Sequence, residues 1–358
     1  NNYSGATTVS AGMLEFYNQV SLYNNTQSSW NVDNIKVLSG ATLALGVGGS
    51  GQFTSDNVKT LAGLGAATGG FQNGSILGLD TTLGNFNYSN VIADFNGGSI
   101  KIGITKLGLN TLTLSGANTY TGTTTVTGGK LQAGGTSPFG ILSNVNINNS
   151  GTVLDLNGNT VEIGILRMSG GSSELNLNGG TLTVNVGTTS NLSSSSTNID
   201  FSRINGKITG ATGNLIVKSP TATSSTPGYF SLIASGTGGQ STFGGTITIG
   251  SNVIFSFGGI NGLYGSNSET TTGLSFAGTG PIVNNGTLLI GSLKGTGLNA
   301  QTYSNVISGT GNVQINTDNT VTFTGNNSYT GVTTISGGIL SVSSINNGGS
   351  SGNLGMAS

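Results

Sequence analysis

The chain has 358 residues, of which 64 are glycine, and it contains no cysteine and no histidine. Its 10 basic and 11 acidic side chains give a net charge of −1, which argues against nucleic-acid binding because that needs clustered lysine and arginine. The missing cysteine and histidine exclude disulfides, thiolate metal sites and Ser-His-Asp catalysis. No apolar run reaches the ~20 residues that a membrane-spanning helix needs.

Short strands separated by glycine turns are predicted from the start of the chain. Residues 12–16 combine a glycine with alternating apolar residues, and this period of two predicts a strand directly after the turn. Residues 56–61 depart from the pattern and predict one helical turn. The aromatic residues Phe16, Tyr17, Tyr23 and Trp30 predict packing in the core or against the end of a coil. A sugar-stacking platform is the alternative.

The most regular module runs from Leu109 to Ala133. Leu112 and Leu114 alternate with threonines, which predicts a strand with one buried face. Residues 115–118 then provide a turn, because Gly and Asn tolerate positive φ. A threonine-rich strand, a second glycine turn and a third strand complete the module.

The same module returns at residues 319–342 and, shortened, at residues 1–16. The unequal separations, 120 − 3 = 117 and 329 − 120 = 209 residues, indicate a module within a longer solenoid and not a strict tandem array. Three sets of residues align between the copies: Tyr3, Tyr120 and Tyr329; Gly5, Gly122 and Gly331; Leu14, Leu131 and Leu340. The alternation predicts that eight apolar residues point inward: Leu112, Leu114, Val126, Leu131, Val321, Phe323, Ile335 and Leu340.

An all-β chain forming a single elongated domain over residues 1–358 is predicted, because each coil of a solenoid contacts only its neighbours and the core grows in one dimension. Coils of roughly 20–25 residues are expected, which gives a rod of about 70 Å. Two polar stretches, residues 187–199 and residues 219–228, predict loops that leave the wall of the solenoid. The alternative is a flexible joint between two rod segments.

Two segments carry a family resemblance, GANTYTGTTTVTGGKL (residues 116–131) and GNNSYTGVTTISGGIL (residues 325–340). They resemble the autotransporter-associated β-strand repeat, also called the passenger-associated transport repeat. The Tyr-Ser-Asn-Val-Ile runs at residues 88–92 and 303–307 agree with it. The resemblance implies a right-handed parallel β-helix of a secreted bacterial passenger, located at the cell surface, and it brings no catalytic residues. Nothing in the chain resembles the C-terminal membrane-anchoring domain of an autotransporter, so we expect a released passenger, a fragment, or a relative secreted by another route.

Candidate catalytic groups are sparse. Polysaccharide-cleaving β-helices need carboxylates held a few ångströms apart, although coils stacked at ~4.8 Å can still bring two scattered carboxylates together. We therefore expect a non-catalytic structural protein without cofactor or metal, which serves as a surface filament or an adhesin stalk. The alternative is a carbohydrate-binding or polysaccharide-cleaving β-helix, which acidic side chains converging in one groove would favour. The aspartates stand one at a time, at Asp33, Asp56, Asp80, Asp94, Asp155, Asp200 and Asp318.

The two ends of the chain predict self-assembly. The first module copy lacks the strand that precedes the tyrosine in the others, and residues 350–358 resemble residues 135–140, which lead on to another coil. We expect the C-terminal segment of one subunit to complete the N-terminal module of the next, in a head-to-tail homopolymer. Glycans of a host or the environment are further expected partners. The alternative is that both ends are limits of a longer passenger. The residues expected at the assembling ends are Asn1, Asn2, Tyr3, Gly5, Val9, Leu340, Val342, Ile345 and Leu354.

Overall fold

The computed structural model describes residues 3–66, 68–187, 202–232, 241–258, 278–291 and 300–356. The chain divides into two compact units, the first unit (residues 1–164) and the second unit (residues 165–358). Parallel sheets of short strands build both units, so the prediction of an all-β parallel β-helix is confirmed. One continuous domain over the whole chain stays a prediction.

The first unit contains short strands, one α-helix and four 3-10 turns in its described part. The strands are β1 (Thr7–Val9), β2 (Met13–Phe16), β3 (Ile35–Val37), β4 (Thr42–Gly46), β5 (Gly70–Phe71), β6 (Ser75–Asp80), β7 (Phe86–Tyr88), β8 (Ile102–Leu107), β9 (Thr111–Leu114), β10 (Thr124–Val126), β11 (Lys130–Ala133), β12 (Val145–Ile147), β13 (Val153–Asp155) and β14 (Thr160–Ile163). The helix is α1 (Ser55–Ala62), and the 3-10 turns are Gln19–Ser21, Tyr23–Asn25, Gln27–Ser29 and Asn96–Gly98.

Parallel pairing in the first unit joins strands of successive coils. One sheet has the order β2-β4-β6-β8-β10-β12, a second β7-β9-β11-β13 and a third β1-β3-β5. The registers are one to one, so that Leu112 stands opposite Leu131, and Leu131 opposite Leu154. All three side chains are fully buried. The alternation read from the sequence therefore places its leucines in one inward column.

Coil length varies because segments are inserted at the corners. Between Leu112, Leu131 and Leu154 the coils take 131 − 112 = 19 and 154 − 131 = 23 residues, close to the expected size. Between Leu14, Leu43 and Leu77 they take 43 − 14 = 29 and 77 − 43 = 34 residues. The first of these longer coils carries three 3-10 turns and the second carries α1.

The helix α1 begins with a capping box. The Thr54 hydroxyl accepts a hydrogen bond from the Asn57 backbone N–H, and the Asn57 side chain accepts one from the Thr54 N–H. This arrangement satisfies N–H groups that would otherwise lack partners at the helix start. Val58 and Leu61 are fully buried beneath it. The helical turn predicted for residues 56–61 is thus confirmed as part of a longer helix.

The second unit has the same construction over its described residues. Its strands are β15 (Leu166–Met168), β16 (Glu174–Asn176), β17 (Thr181–Asn185), β18 (Ser202–Ile204), β19 (Lys207–Thr209), β20 (Asn214–Lys218), β21 (Gly228–Leu232), β22 (Thr246–Ile249), β23 (Val253–Phe257), β24 (Ile282–Asn284), β25 (Thr287–Gly291), β26 (Gln301–Tyr303), β27 (Ile307–Ser308), β28 (Asn312–Phe323) and β29 (Thr333–Val342). One parallel sheet runs β15-β18-β21-β23-β25-β28, with β26 and β29 both paired to β28, and another runs β17-β20-β22-β24-β27.

Of the eight apolar residues predicted to point inward, six are buried, whereas Ile335 and Leu340 are not. Val126, the counterpart of Ile335 in the middle module copy, is 0% exposed because β12 lies over its strand β10. Ile335 is 53% exposed. Its strand β29 pairs with β28 on one side and with no other described strand. For the same reason Leu340 is only half-buried.

The aromatic cluster near the start of the chain is core. Trp30 is 3% exposed, and its indole N–H donates to the Leu22 carbonyl. Its ring lies 5.7 Å from that of Phe53, and Tyr23 is also buried. Packing therefore explains Phe16, Tyr23 and Trp30, whereas Tyr17 is 36% exposed. Of the polar stretch predicted at residues 187–199, all but residue 187 lies outside the described residues.

Candidate functional site

Each module copy contains a hydrogen bond between its tyrosine and the threonine four residues later. The Tyr Oη to Thr Oγ1 distance is 3.1 Å in the first copy and 2.7 Å in the other two. Tyr120 and Tyr329 are fully buried, and burial raises the pKa of both phenols. A buried hydroxyl needs a partner, and the threonine supplies it from within the same turn. The aligned tyrosines are thus internal structural residues.

The aligned glycines permit close contact between coils. A Cβ on Gly122 would lie 2.1 Å from the Ile102 carbonyl oxygen, and one on Gly331 would lie 2.2 Å from the Gly311 carbonyl oxygen. Any larger residue would push the two coils apart at these positions. Gly5 has no atom within 4 Å of the corresponding point.

A buried asparagine two residues before the tyrosine connects three successive coils. Asn118 Oδ1 accepts a hydrogen bond of 2.8 Å from the Ile92 N–H, and its Nδ2 donates one of 2.7 Å to the Pro138 carbonyl. Asn327 makes the same pair of bonds, at 2.8 and 2.7 Å, to the coils before and after it. The sequence placed Asn118 in a turn, and its role between coils was missed.

The residues predicted at the assembling ends lie in different environments. Tyr3 packs against Tyr23 with ring centroids 4.6 Å apart and the rings tilted by 34°, and the Gly5 carbonyl accepts from the Tyr23 hydroxyl. Val9 is buried, and Asn1 and Asn2 lie outside the described residues. At the other end the side chains are more accessible: Leu340, Val342 and Leu354 are half-buried, and Ile345 is 75% exposed.

The outward face of the β7-β9-β11-β13 sheet is a polar ladder. Thr113 Oγ1 donates to Gln132 Oε1 at 3.0 Å, and Gln132 Nε2 donates to Asp155 Oδ2 at 3.1 Å. Lys130 Nζ lies 3.3 Å from the same Asp155 oxygen. Because each polar group contacts its neighbour on the adjacent strand, the ladder is a wall and not a cleft.

Carboxyl groups meet at the edge of the β2-β4-β6-β8 sheet. Partial desolvation, a hydrogen bond with Asp80 and repulsion from that carboxyl raise the pKa of Glu15 to about 7, although Glu15 is solvent-exposed. Asp80 Oδ1 accepts from the N–H and hydroxyl of Thr82. Neither carboxyl lines either groove described below. No group of three or more acidic residues suited to a metal ion occurs within the described ranges.

Lys106 is a buried cation beneath this edge. Its side chain is 0% exposed, and Nζ donates to Thr81 Oγ1 at 2.7 Å and to the carbonyls of Leu107 and Gly108 at 2.9 and 2.6 Å. Burial lowers the pKa of Lys106 to about 8, and attraction to Asp80 offsets part of this effect. All three ammonium protons are used inside the protein, so Lys106 joins two corner turns and contacts no open groove.

The described residues of each unit form an open groove. In the first unit a groove of about 220 Å³ has Asp33 and Lys36 in its lining. In the second unit the corner groove, of about 310 Å³, has no charged side chain in its lining. It lies beside the loop of residues 219–227, at the corner between the β20-β22-β24-β27 sheet and the β21-β23-β25-β28 sheet.

Comparison with known proteins finds a repeat family whose matched segments coincide with the three module copies. The model of the passenger-associated transport repeat matches residues 1–16, 104–133 and 318–342. A curated adhesin, the BmaC autotransporter of Brucella suis, is 32% identical over an alignment of 286 residues that covers 76% of this chain. The chain spans 8% of the length of that relative. No solved structure matches the chain.

The described part of the chain contains no helix long and apolar enough to span a membrane. The three module copies share their tyrosine, threonine and glycine positions, and these are the segments that the family model matches. The matches assign the chain to the secreted proteins of the cell surface. The chain is therefore an autotransporter passenger protein that carries the passenger-associated transport repeat.

Proposed function

We propose that this chain is a non-catalytic part of a bacterial surface adhesin, a stack of coils that displays binding surfaces on its outer side chains. The proposal rests on the contacts that the buried polar side chains of the modules make. The buried polar groups of Asn118, Tyr120 and their counterparts bond within the turn or to the next coil. They hold coils together and form no reactive cleft, which is what a stalk requires.

Adhesion of the full chain tests this function directly. Beads coated with the protein are expected to bind host-cell or glycan-coated surfaces above the level of beads coated with an unrelated protein of similar charge. The alternative, polysaccharide cleavage, is tested by incubating the protein with plant and bacterial polysaccharides and measuring new reducing ends. If reducing ends are released at a rate that rises with the protein concentration, the non-catalytic proposal is contradicted. If the coated beads bind no better than the control beads, the adhesin role is contradicted.

Head-to-tail assembly is the finer part of the proposal. The strand β29 exposes Ile335 and Ile339, at 53% and 63%, on an edge that no described strand covers. An uncovered parallel edge with apolar side chains is a template for one more coil, as β10 is for β12 in the middle module copy. We propose that a second copy of the chain supplies this coil.

A matched pair of variants in β29 tests this contact. Ile335→Lys places a charge on the exposed apolar edge, and Thr334→Lys places the same charge on the adjacent exposed position of the same strand. If the wild-type chain forms filaments in electron micrographs, Ile335→Lys is expected to shorten them and Thr334→Lys to leave them unchanged. A wild-type chain that sediments as a monomer at high concentration contradicts head-to-tail assembly.

A further inference from the structure

The corner groove is a built feature of the second unit. Its floor consists of the short turns that end β22, β24 and β27, at residues 250–252, 285–286 and 309–311. Its wall is the longer loop of residues 219–227, which follows β20 at the equivalent corner. Neighbouring coils are ~4.8 Å apart, so the groove crosses several coils and presents the same kind of turn at each step.

The loop that forms the wall is held in place by hydrogen bonds. Asn252 Nδ2 donates to the Ala222 carbonyl at 3.2 Å, which ties the loop to the next corner. Ser219 Oγ donates to the Val186 carbonyl at 2.8 Å at the start of the loop. Thr223 and Thr226 close a tight turn within it through reciprocal backbone bonds of 3.2 Å. The groove therefore exists before any ligand arrives.

Three main-chain donors along the floor are already used. The Thr310 N–H donates to Asn285 Oδ1 at 3.4 Å, and the N–H groups of Gly311 and Asn312 donate to carbonyls of the preceding coil at 2.8 Å. The hydroxyls of Ser224 and Ser251 make no hydrogen bond to another described residue. A peptide strand pairs through a continuous row of main-chain groups, and these three used donors interrupt such a row. Free hydroxyls suit a ligand that itself carries many hydroxyls.

The charge and shape of the corner groove limit the class of ligand further. Among the described residues no charged side chain lines the groove, so those residues offer no ionic partner to a sialic acid, a uronic acid or a sulfate. Pro227 and the half-exposed Ile254 add an apolar surface among the serines, threonines and asparagines. The C–H face of a sugar ring packs on such a surface while its hydroxyls bond at the rim. The volume of about 310 Å³ is at the small end of ligand sites and accommodates roughly one or two sugar rings.

We propose that the corner groove binds a neutral oligosaccharide through the side chains of its corner turns. This rests on the adhesin function proposed above and names the class of receptor that this surface recognises. It differs from that function in being confined to one groove of one unit, so the two are tested separately.

The test uses the full chain, a panel of neutral oligosaccharides of two to six hexose units and their sialylated and sulfated counterparts. Binding is measured on an array and then by calorimetry. Thr310→Trp fills the groove from an exposed position, and Thr334→Trp adds the same ring to an exposed position outside it. Ser251→Ala removes one free hydroxyl and is expected to weaken binding about 3- to 10-fold. It provides a second measurement if the larger substitution disturbs folding.

The expected result is binding of a neutral oligosaccharide by the wild type and Thr334→Trp, with at least a 10-fold loss in Thr310→Trp. Three results overturn the inference: no neutral oligosaccharide binds, only acidic ones bind, or Thr310→Trp and Ser251→Ala bind as tightly as the wild type. If beads coated with Thr310→Trp still adhere, the groove is not needed for adhesion and the adhesin function stands. If beads coated with the wild-type chain do not adhere, the adhesin function is contradicted, whatever the groove binds.

Discussion

Replacing Asn327 by alanine removes the side chain that joins three coils. Its Oδ1 accepts from the Ile307 N–H at 2.8 Å, and its Nδ2 donates to the Asn353 carbonyl at 2.7 Å. Ile307 and Asn353 are both buried, so both backbone groups lose their partner away from water. Each unsatisfied group costs about 1–3 kcal/mol. With some relief from water entry, we expect a loss of about 3 kcal/mol.

Hydrogen exchange is the suitable assay, because a solenoid can open coil by coil and a single unfolding midpoint hides local changes. The amide of Ile307 donates to Asn327, so it reports the broken contact directly. A loss of about 3 kcal/mol corresponds to roughly 100-fold faster exchange of that amide. Amides in the first unit are expected to keep their wild-type rates, because each coil contacts only its neighbours.

Asn326 provides the matched control, since it is exposed and has no hydrogen bond to another described residue. Asn326→Ala is expected to change stability by less than ~0.5 kcal/mol. Asn327→Asp keeps the acceptor for Ile307 but buries a carboxylate against the Asn353 carbonyl, so it should cost at least as much as Asn327→Ala. If Asn326→Ala and Asn327→Ala accelerate exchange equally, the buried asparagine does not hold the coils together and our reasoning is wrong.

Three further predictions use substitutions in the first unit, each followed by chemical denaturation and hydrogen exchange. Gly122→Ala forces a Cβ against a carbonyl 2.1 Å away and should cost about 2–3 kcal/mol, whereas Gly5→Ala should be neutral or slightly stabilising because its surroundings are open. Leu131→Asp buries an unpaired charge and should cost more than about 3 kcal/mol. Lys130→Ala removes only a partly exposed ion pair and should cost less than ~1 kcal/mol. Equal effects of Leu131→Asp and Lys130→Ala would refute the assignment of Leu131 to the inward face. The pKa of Lys106 is lowered to about 8, so above pH 8 the unfolded chain binds more protons than the folded one. Stability should therefore rise between pH 8 and about 9.5, by up to ~2 kcal/mol, and a Lys106→Met variant should lose this rise.

The secondary-structure elements were predictable where residues close together in the sequence determine them. The alternation of Leu112 and Leu114 with threonine gave the strand β9, and the aligned tyrosines of the modules share one hydrogen bond. The helix α1 was foreseen from residues 56–61, although its capping box at Thr54 was not. These features depend on residues within a few positions of each other, which a single sequence displays.

The contacts between coils could not be predicted, because they depend on register. Asn118 bonds to residues 26 positions before it and 20 positions after it. Neighbouring coils differ in length, at 19 and 23 residues in this region, so no fixed spacing points to these partners. The corner groove was hidden for the same reason. The loop of residues 219–228 was expected from its composition, but the turns that it faces lie one to three coils further along the chain.

Lys106 shows a signal that was present and overlooked. It continues the inward alternation of Ile102 and Ile104 in β8, and it stands opposite Leu79 and Val126 in the neighbouring strands. Lysine is rarely fully buried, so the pattern alone would usually be rejected. Here three oxygens at the corner accept from the ammonium group, which makes the inward position tolerable.

The asparagine contact also predicts how the two complete modules combine. Asn118 and Asn327 share no hydrogen-bonding partner, since Asn118 bonds to Ile92 and Pro138 and Asn327 bonds to other coils. Sites without shared partners add within ≈0.5 kcal/mol, so the double alanine variant should lose about 6 kcal/mol in total. Exchange should accelerate separately at Ile92 and at the Asn327 partner, each by the factor seen in its single variant. A double variant no less stable than either single one would mean that one module already limits unfolding of the whole chain, and the coils would then be coupled far beyond their neighbours.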